Sequence, residues 1–63
     1  MTYRVGAYVW DPFEGRVGEV REERLGRVYL RPPRGGQEWL AKPKSLRLAT
    51  KEERKEAGVG EPA

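Results

Sequence analysis

Sixty-three residues make one domain, and a chain this short buries only about 60% of the surface its unfolded form exposes. Cysteine and histidine are both absent, which excludes a disulfide scaffold, a thiolate nucleophile and a tetrahedral Cys/His zinc site. Thirteen Lys and Arg against ten Asp and Glu leave a formal charge of +3, and no apolar run approaches the roughly 18 residues of a membrane helix.

Eight glycines and five prolines punctuate the chain, which points to short strands and turns and away from long helices. A first strand is predicted over residues 5–10, with Val5, Ala7 and Val9 on one face and Gly6, Tyr8 and Trp10 on the other. Residues 11–15 form a loop in which Pro12 presets φ for a turn and Gly15 supplies positive φ. The second strand covers 16–22. Val17 and Val20 would face opposite sides of a plain strand. Gly18 between them is expected to mark a bend or bulge that turns both valines to one face and curls the sheet.

Residues 23–26 read as a tight turn. The third strand, 27–31, has the cleanest alternation, with Val28 and Leu30 inward and Arg27, Tyr29 and Arg31 outward. Pro32-Pro33 ends it, because proline donates nothing to a ladder, and 34–37 turn the chain. The fourth strand, 38–41, has two possible parities. Burying Glu38 unpaired is costly and burying Trp39 gains apolar area, so Trp39 and Ala41 are placed inside. Residues 42–45 fit a helical turn and 46–49 a brief fifth strand. Thr50 and Glu53 make a capping box at the start of a helix over 51–57, stopped at Gly58. That helix has almost no apolar face and is short, so it is expected to fray, with 59–63 disordered.

The expected architecture is therefore an all-β, five-stranded, strongly bent barrel over residues 1–50, with a charged C-terminal helical turn and tail over 51–63. The pattern Gly6-x-x-Val9, Gly15-x-x-Gly18-x-Val20 and Val28-x-Leu30 resembles the SH3-like barrels, above all their KOW and Tudor relatives, over residues 5–49. The chain is also similar to short uncharacterised actinobacterial proteins, a likeness that transfers no activity. The SH3-like resemblance implies a binding module for RNA, for ribosomal or transcription components, or for peptide.

Chemistry is poorly provided for. There is one Asp, Asp11, and one Ser, Ser45, and without His or Cys no nucleophile–base pair can be assembled. Glu22 and Glu23 are adjacent, but neighbours in a strand point apart. Gly35-Gly36 lacks the spacing and the Lys-Ser/Thr ending of a phosphate loop. No enzyme, cofactor or metal is expected. Arg4 and Gly6 interrupt any apolar signal core at the N-terminus, so the expected location is cytoplasmic.

Two surface constellations remain. Residues 1–50 hold ten Lys and Arg against six Asp and Glu, a net +4, whereas 51–63 are net −1. Arg27 and Arg31 point outward from the third strand about 6.6–7 Å apart with Tyr29 between them. Arg21, Arg34, Lys42 and Lys44 are placed near them. Basic residues that neutralise phosphates around an aromatic that stacks on bases are a nucleic-acid footprint, here for a single strand or RNA. Interleaved glutamates give the competing account of an ordinary charged surface. The second constellation is aromatic: Tyr8, Trp10 and Tyr29 are expected outward and Phe13 in the 11–15 loop, as a protein-binding or homodimer face or as a small second core.

Overall fold

The computed structural model describes residues 3–59. Four strands follow one another: β1 (Tyr8–Asp11), β2 (Arg16–Arg24), β3 (Arg27–Arg31) and β4 (Trp39–Ala41). A 3-10 turn, Pro43–Ser45, leads to β5 (Arg47–Leu48), and α1 (Lys51–Glu56) follows. The strands form one antiparallel sheet in the order β4-β3-β2-β1-β5. The fifth strand returns to the far side of β1, which leaves β4 and β5 as the sheet edges.

The first strand begins later than its sequence suggests. Gly6 has φ +95° and the Ala7 amide donates to the Arg4 carbonyl at 3.0 Å, so 4–7 is a turn. That turn leaves Val5 58% exposed instead of facing inward. The segment still docks on β2, because the Gly6 amide donates to the Val20 carbonyl and the Val20 amide to the Ala7 carbonyl, at 2.7 and 2.8 Å.

The bend in β2 is also not where the glycine stands. The β1–β2 register runs unbroken through Gly18, which lies opposite Val9. The slip falls between Val20 and Glu22 in the β2–β3 ladder, which makes Arg21 the extra residue. Val17 and Val20 therefore face opposite sides. Gly18 is required for space. A β-carbon there would lie 2.8 Å from Trp39 Cη2 and 2.9 Å from Leu30 Cβ, well inside ordinary contact.

On one side of the sheet Val9, Val20, Val28, Leu30, Ala41 and Leu46 form the core, with Tyr3, Ala7 and Trp39 packed against it. Trp39 and Ala41 thus take the inward parity, and Leu40 is 54% exposed. The Tyr3 hydroxyl donates to the Leu46 carbonyl at 2.8 Å, which ties the N-terminal turn to the start of β5. Val17 is buried on the other side, opposite Trp10 in register.

The helix keeps its expected capping box: Thr50 Oγ1 accepts from the Glu53 amide and the Thr50 amide donates to the Glu53 carboxylate. None of its residues is buried. It is held by charge instead of apolar packing. Arg47 donates from two nitrogens to the two oxygens of Glu53, both at 2.8 Å, and the Arg34 guanidinium lies against Gly58 just past its end. The Val59 amide donates to the Arg54 carbonyl at 2.9 Å. The rest of the tail expected to be disordered, 60–63, lies outside the described residues. No helix among the described residues is long and apolar enough to cross a membrane.

Candidate nucleic-acid interface

The tip of the β2–β3 hairpin is a two-residue turn, Leu25-Gly26, beyond the last paired residues Arg24 and Arg27. Both turn residues have positive φ, 53° and 72°. From the far end of β3 the chain returns along β4, which sets Ala41 opposite Val28. Lys42, Pro43 and Lys44 consequently arrive at the same end of the sheet as Gly26. Pro43, with its fixed φ, opens the 3-10 turn there, and the Ser45 and Leu46 amides donate back to the Lys42 and Pro43 carbonyls. The outcome is a cleft of about 340 Å³ lined by Gly26, Arg27, Lys42, Pro43 and Lys44. Among the described residues, three cations and no carboxylate line it. Like charges held together on a concave wall concentrate positive potential, and an anion relieves their repulsion.

The other predicted basic residues are placed differently. Arg21, at the bulge, lies 3.2 Å from the Glu19 carboxylate. Arg31 lies opposite Glu19 in register, at the end of β3 away from the hairpin tip. Arg34 lies beyond that end, against Gly58. The structure thus gathers Arg27, Lys42 and Lys44 and leaves Arg21, Arg31 and Arg34 apart from them. Tyr29 is half-buried between Glu22 and Leu40 in register. Arg24 occupies its neighbourhood: Nη2 donates to the Tyr29 hydroxyl at 3.3 Å and the guanidinium lies 5.4 Å from the ring centroid. Arg24 also lies 3.4 Å from Glu22. The Tyr29 hydroxyl first, and Glu22 second, raise the Arg24 guanidinium above its already high range.

The four predicted aromatics do not form one patch. Tyr8 and Trp10 are half-buried on β1, which β2 separates from Tyr29 on β3. The Trp10 ring has the Arg47 guanidinium 5.7 Å from its centroid, and Arg47 is in turn bound to Glu53. Phe13, 84% exposed, lines a second cleft of about 310 Å³ with Asp11, Glu14, Leu40, Ala41, Lys42 and Ser45.

Sequence reasoning left three residues of this region without a role. Asp11 is buried, and its oxygens accept from Trp39 Nε1 at 2.8 Å, from the Phe13 amide at 2.9 Å and from the Glu14 amide at 3.3 Å. It is committed to holding the loop and β4 together. Arg16 lies 3.8 Å over the Trp39 ring, a cation–π contact on the exposed side of that bracket. Asp11-Pro12 was a legible turn signal, whereas its link to Trp39 spans 28 positions and has no local signature. Leu25 is the third, an apolar residue at a turn tip, 93% exposed. Comparison with protein-family models, with curated proteins and with solved structures gives no match.

Proposed function

We propose that this chain is a non-catalytic binding module for nucleic acid or a nucleic-acid-associated protein, built as an SH3-like barrel and acting in the cytoplasm. The return of β5 to β1 and the bulge that bends β2 support the barrel reading. The ligand reading rests on one observation: Arg27, Lys42 and Lys44 line a single cleft that no carboxylate among the described residues lines. A phosphodiester supplies the negative charge such a cleft lacks, and each neutralised phosphate releases counterions.

The test is a titration of labelled single- and double-stranded DNA and RNA over a range of salt concentrations. Binding should weaken steeply with salt. Lys42→Ala and Lys44→Ala should each lower the log–log slope by about 0.7–0.9, one phosphate contact apiece. Absence of binding to every one of these ligands at low salt ends the reading. The second reading, a protein partner or a second copy of the chain, is favoured by the cleft beside Phe13 and Leu40, which are 84% and 54% exposed. It predicts concentration-dependent sedimentation that Phe13→Ala or Leu40→Ala abolishes.

A further inference from the structure

Leu25 is in the wrong place for every structural purpose. A two-residue hairpin turn with positive φ at both central positions favours Asn, Asp or Gly at the first of them, because a β-carbon is strained there. Leucine occupies it with φ +53°. Nothing in the fold offsets that strain, since the side chain is 93% exposed and buries almost no apolar area. Strain held in a residue that does not serve packing points to function.

The surroundings state the chemistry. Arg24 and Arg27 are paired at the base of the turn, and Gly26 forms part of the wall of the three-cation cleft. An apolar knob stands directly beside a hollow lined by three cations. We infer that the hairpin tip docks on duplex nucleic acid, with a backbone phosphate in the Arg27/Lys42/Lys44 cleft and Leu25 inserted from the minor groove against a base step. This inference rests on the nucleic-acid reading above and narrows it to the duplex. Aliphatic wedges act there by partly unstacking a step and kinking the helix, and a β-hairpin tip is narrow enough to enter the groove. A single strand is the poorer fit. Sequence-tolerant binding of single strands uses open aromatic faces, and Tyr29, the aromatic on the neighbouring strand, has Arg24 bonded to its hydroxyl and set near its ring. An anionic membrane is poorer still, because one leucine gives too little apolar area to anchor a domain.

The experiment uses the full chain, a short mixed-sequence DNA duplex labelled at both ends for energy transfer, the corresponding single strand, and phosphatidylserine vesicles. The wild-type chain should bind the duplex more tightly than the single strand and bring the duplex ends closer. Leu25→Asn suits the turn, so its melting temperature should hold or rise. Its duplex affinity should fall roughly tenfold or more, its bend should vanish, and its salt slope should stay the same. Leu25→Gly, which also suits the turn, should do likewise. Lys42→Ala should instead lower the salt slope and keep any residual bend. If no nucleic acid binds at all, the underlying reading fails and the wedge with it. If the duplex binds and Lys42→Ala weakens it, while both Leu25 variants keep full affinity and bend, the wedge is overturned and the nucleic-acid reading stands. Equal or tighter binding to the single strand overturns the duplex assignment, and binding to the vesicles alone assigns the tip to membranes.

Discussion

Gly18 and Leu25 show how one residue's role depends on what lies across the sheet. Gly18 sits in a regular stretch of ladder with no positive φ, so its glycine is set by the Trp39 indole and the Leu30 β-carbon that close over it. Overpacking a filled core forces shifts that cost about 1–3 kcal/mol. Gly18→Ala should therefore destabilise the fold by about that amount, measured by chemical denaturation. In a Trp39→Leu background the same substitution should cost less, because one of the two clashing partners is gone; an equal cost in both backgrounds would remove the crowding account. The glycine was legible as special from its place inside a valine-rich strand. Its reason was not, because Trp39 lies 21 positions further on and periodicity carries no information about what crosses over a strand. The same limit hid the Asp11–Trp39 hydrogen bond. It did not hide Val28 and Leu30, whose inward facing is a local alternation and holds in the structure.

At the scale of elements, strands and turns follow from local chemistry, and the convergence of loops does not. Pro32-Pro33, Pro43 and the Thr50–Glu53 box each end or begin an element close to where they stand in the sequence. Arg27 and Lys42 were both marked as candidate cations, yet only the antiparallel return of β4 brings the second to the first. Arg34, in the connection between β3 and β4, lies instead against Gly58 past the end of α1. The helix is the clearest case of an element with a non-local anchor. Arg47 first, and the Thr50 amide second, lower the Glu53 carboxyl from its usual 4.5 to about 2. In the unfolded chain Glu53 titrates near its ordinary value. Its contribution to holding α1 is thus complete above that value and declines as pH falls, until it is lost below about 2. The Thr50 amide, which donates to this carboxylate, is the probe. Its proton shift in a ¹⁵N-labelled sample should titrate with a midpoint near 2 in the wild type, and nearer the ordinary carboxylate range in Arg47→Ala. A wild-type midpoint already at the ordinary value would show that Arg47 and Glu53 do not hold each other in solution.

For the whole molecule the decisive quantity is the size of the core. Eight apolar residues are buried among the described residues, six of them valine or alanine, in a chain with no disulfide. Proteins hold about 0.05–0.15 kcal/mol of stability per residue, so a chain of 63 residues holds about 3–9 kcal/mol. Leu30 is fully buried in the middle of the sheet, opposite Val20 on β2 and Trp39 on β4. Truncating a buried leucine to alanine costs about 2–5 kcal/mol, which is a large part of that total. Leu30→Ala should therefore leave a substantial unfolded population at physiological temperature, visible as loss of the β-sheet signal in circular dichroism and of tryptophan shielding in fluorescence. The contrast with the other end of β3 sharpens the test. Leu25, five positions away, is the same residue type with no packing role, and its replacement by asparagine should leave the melting temperature unchanged or raised. A Leu30→Ala protein that melts with the wild type would mean that the sheet is stabilised chiefly by its ladder and ion pairs. A Leu25→Asn protein that melts well below the wild type would mean that the hairpin tip packs in solution, and the exposed leucine would lose its claim to a ligand.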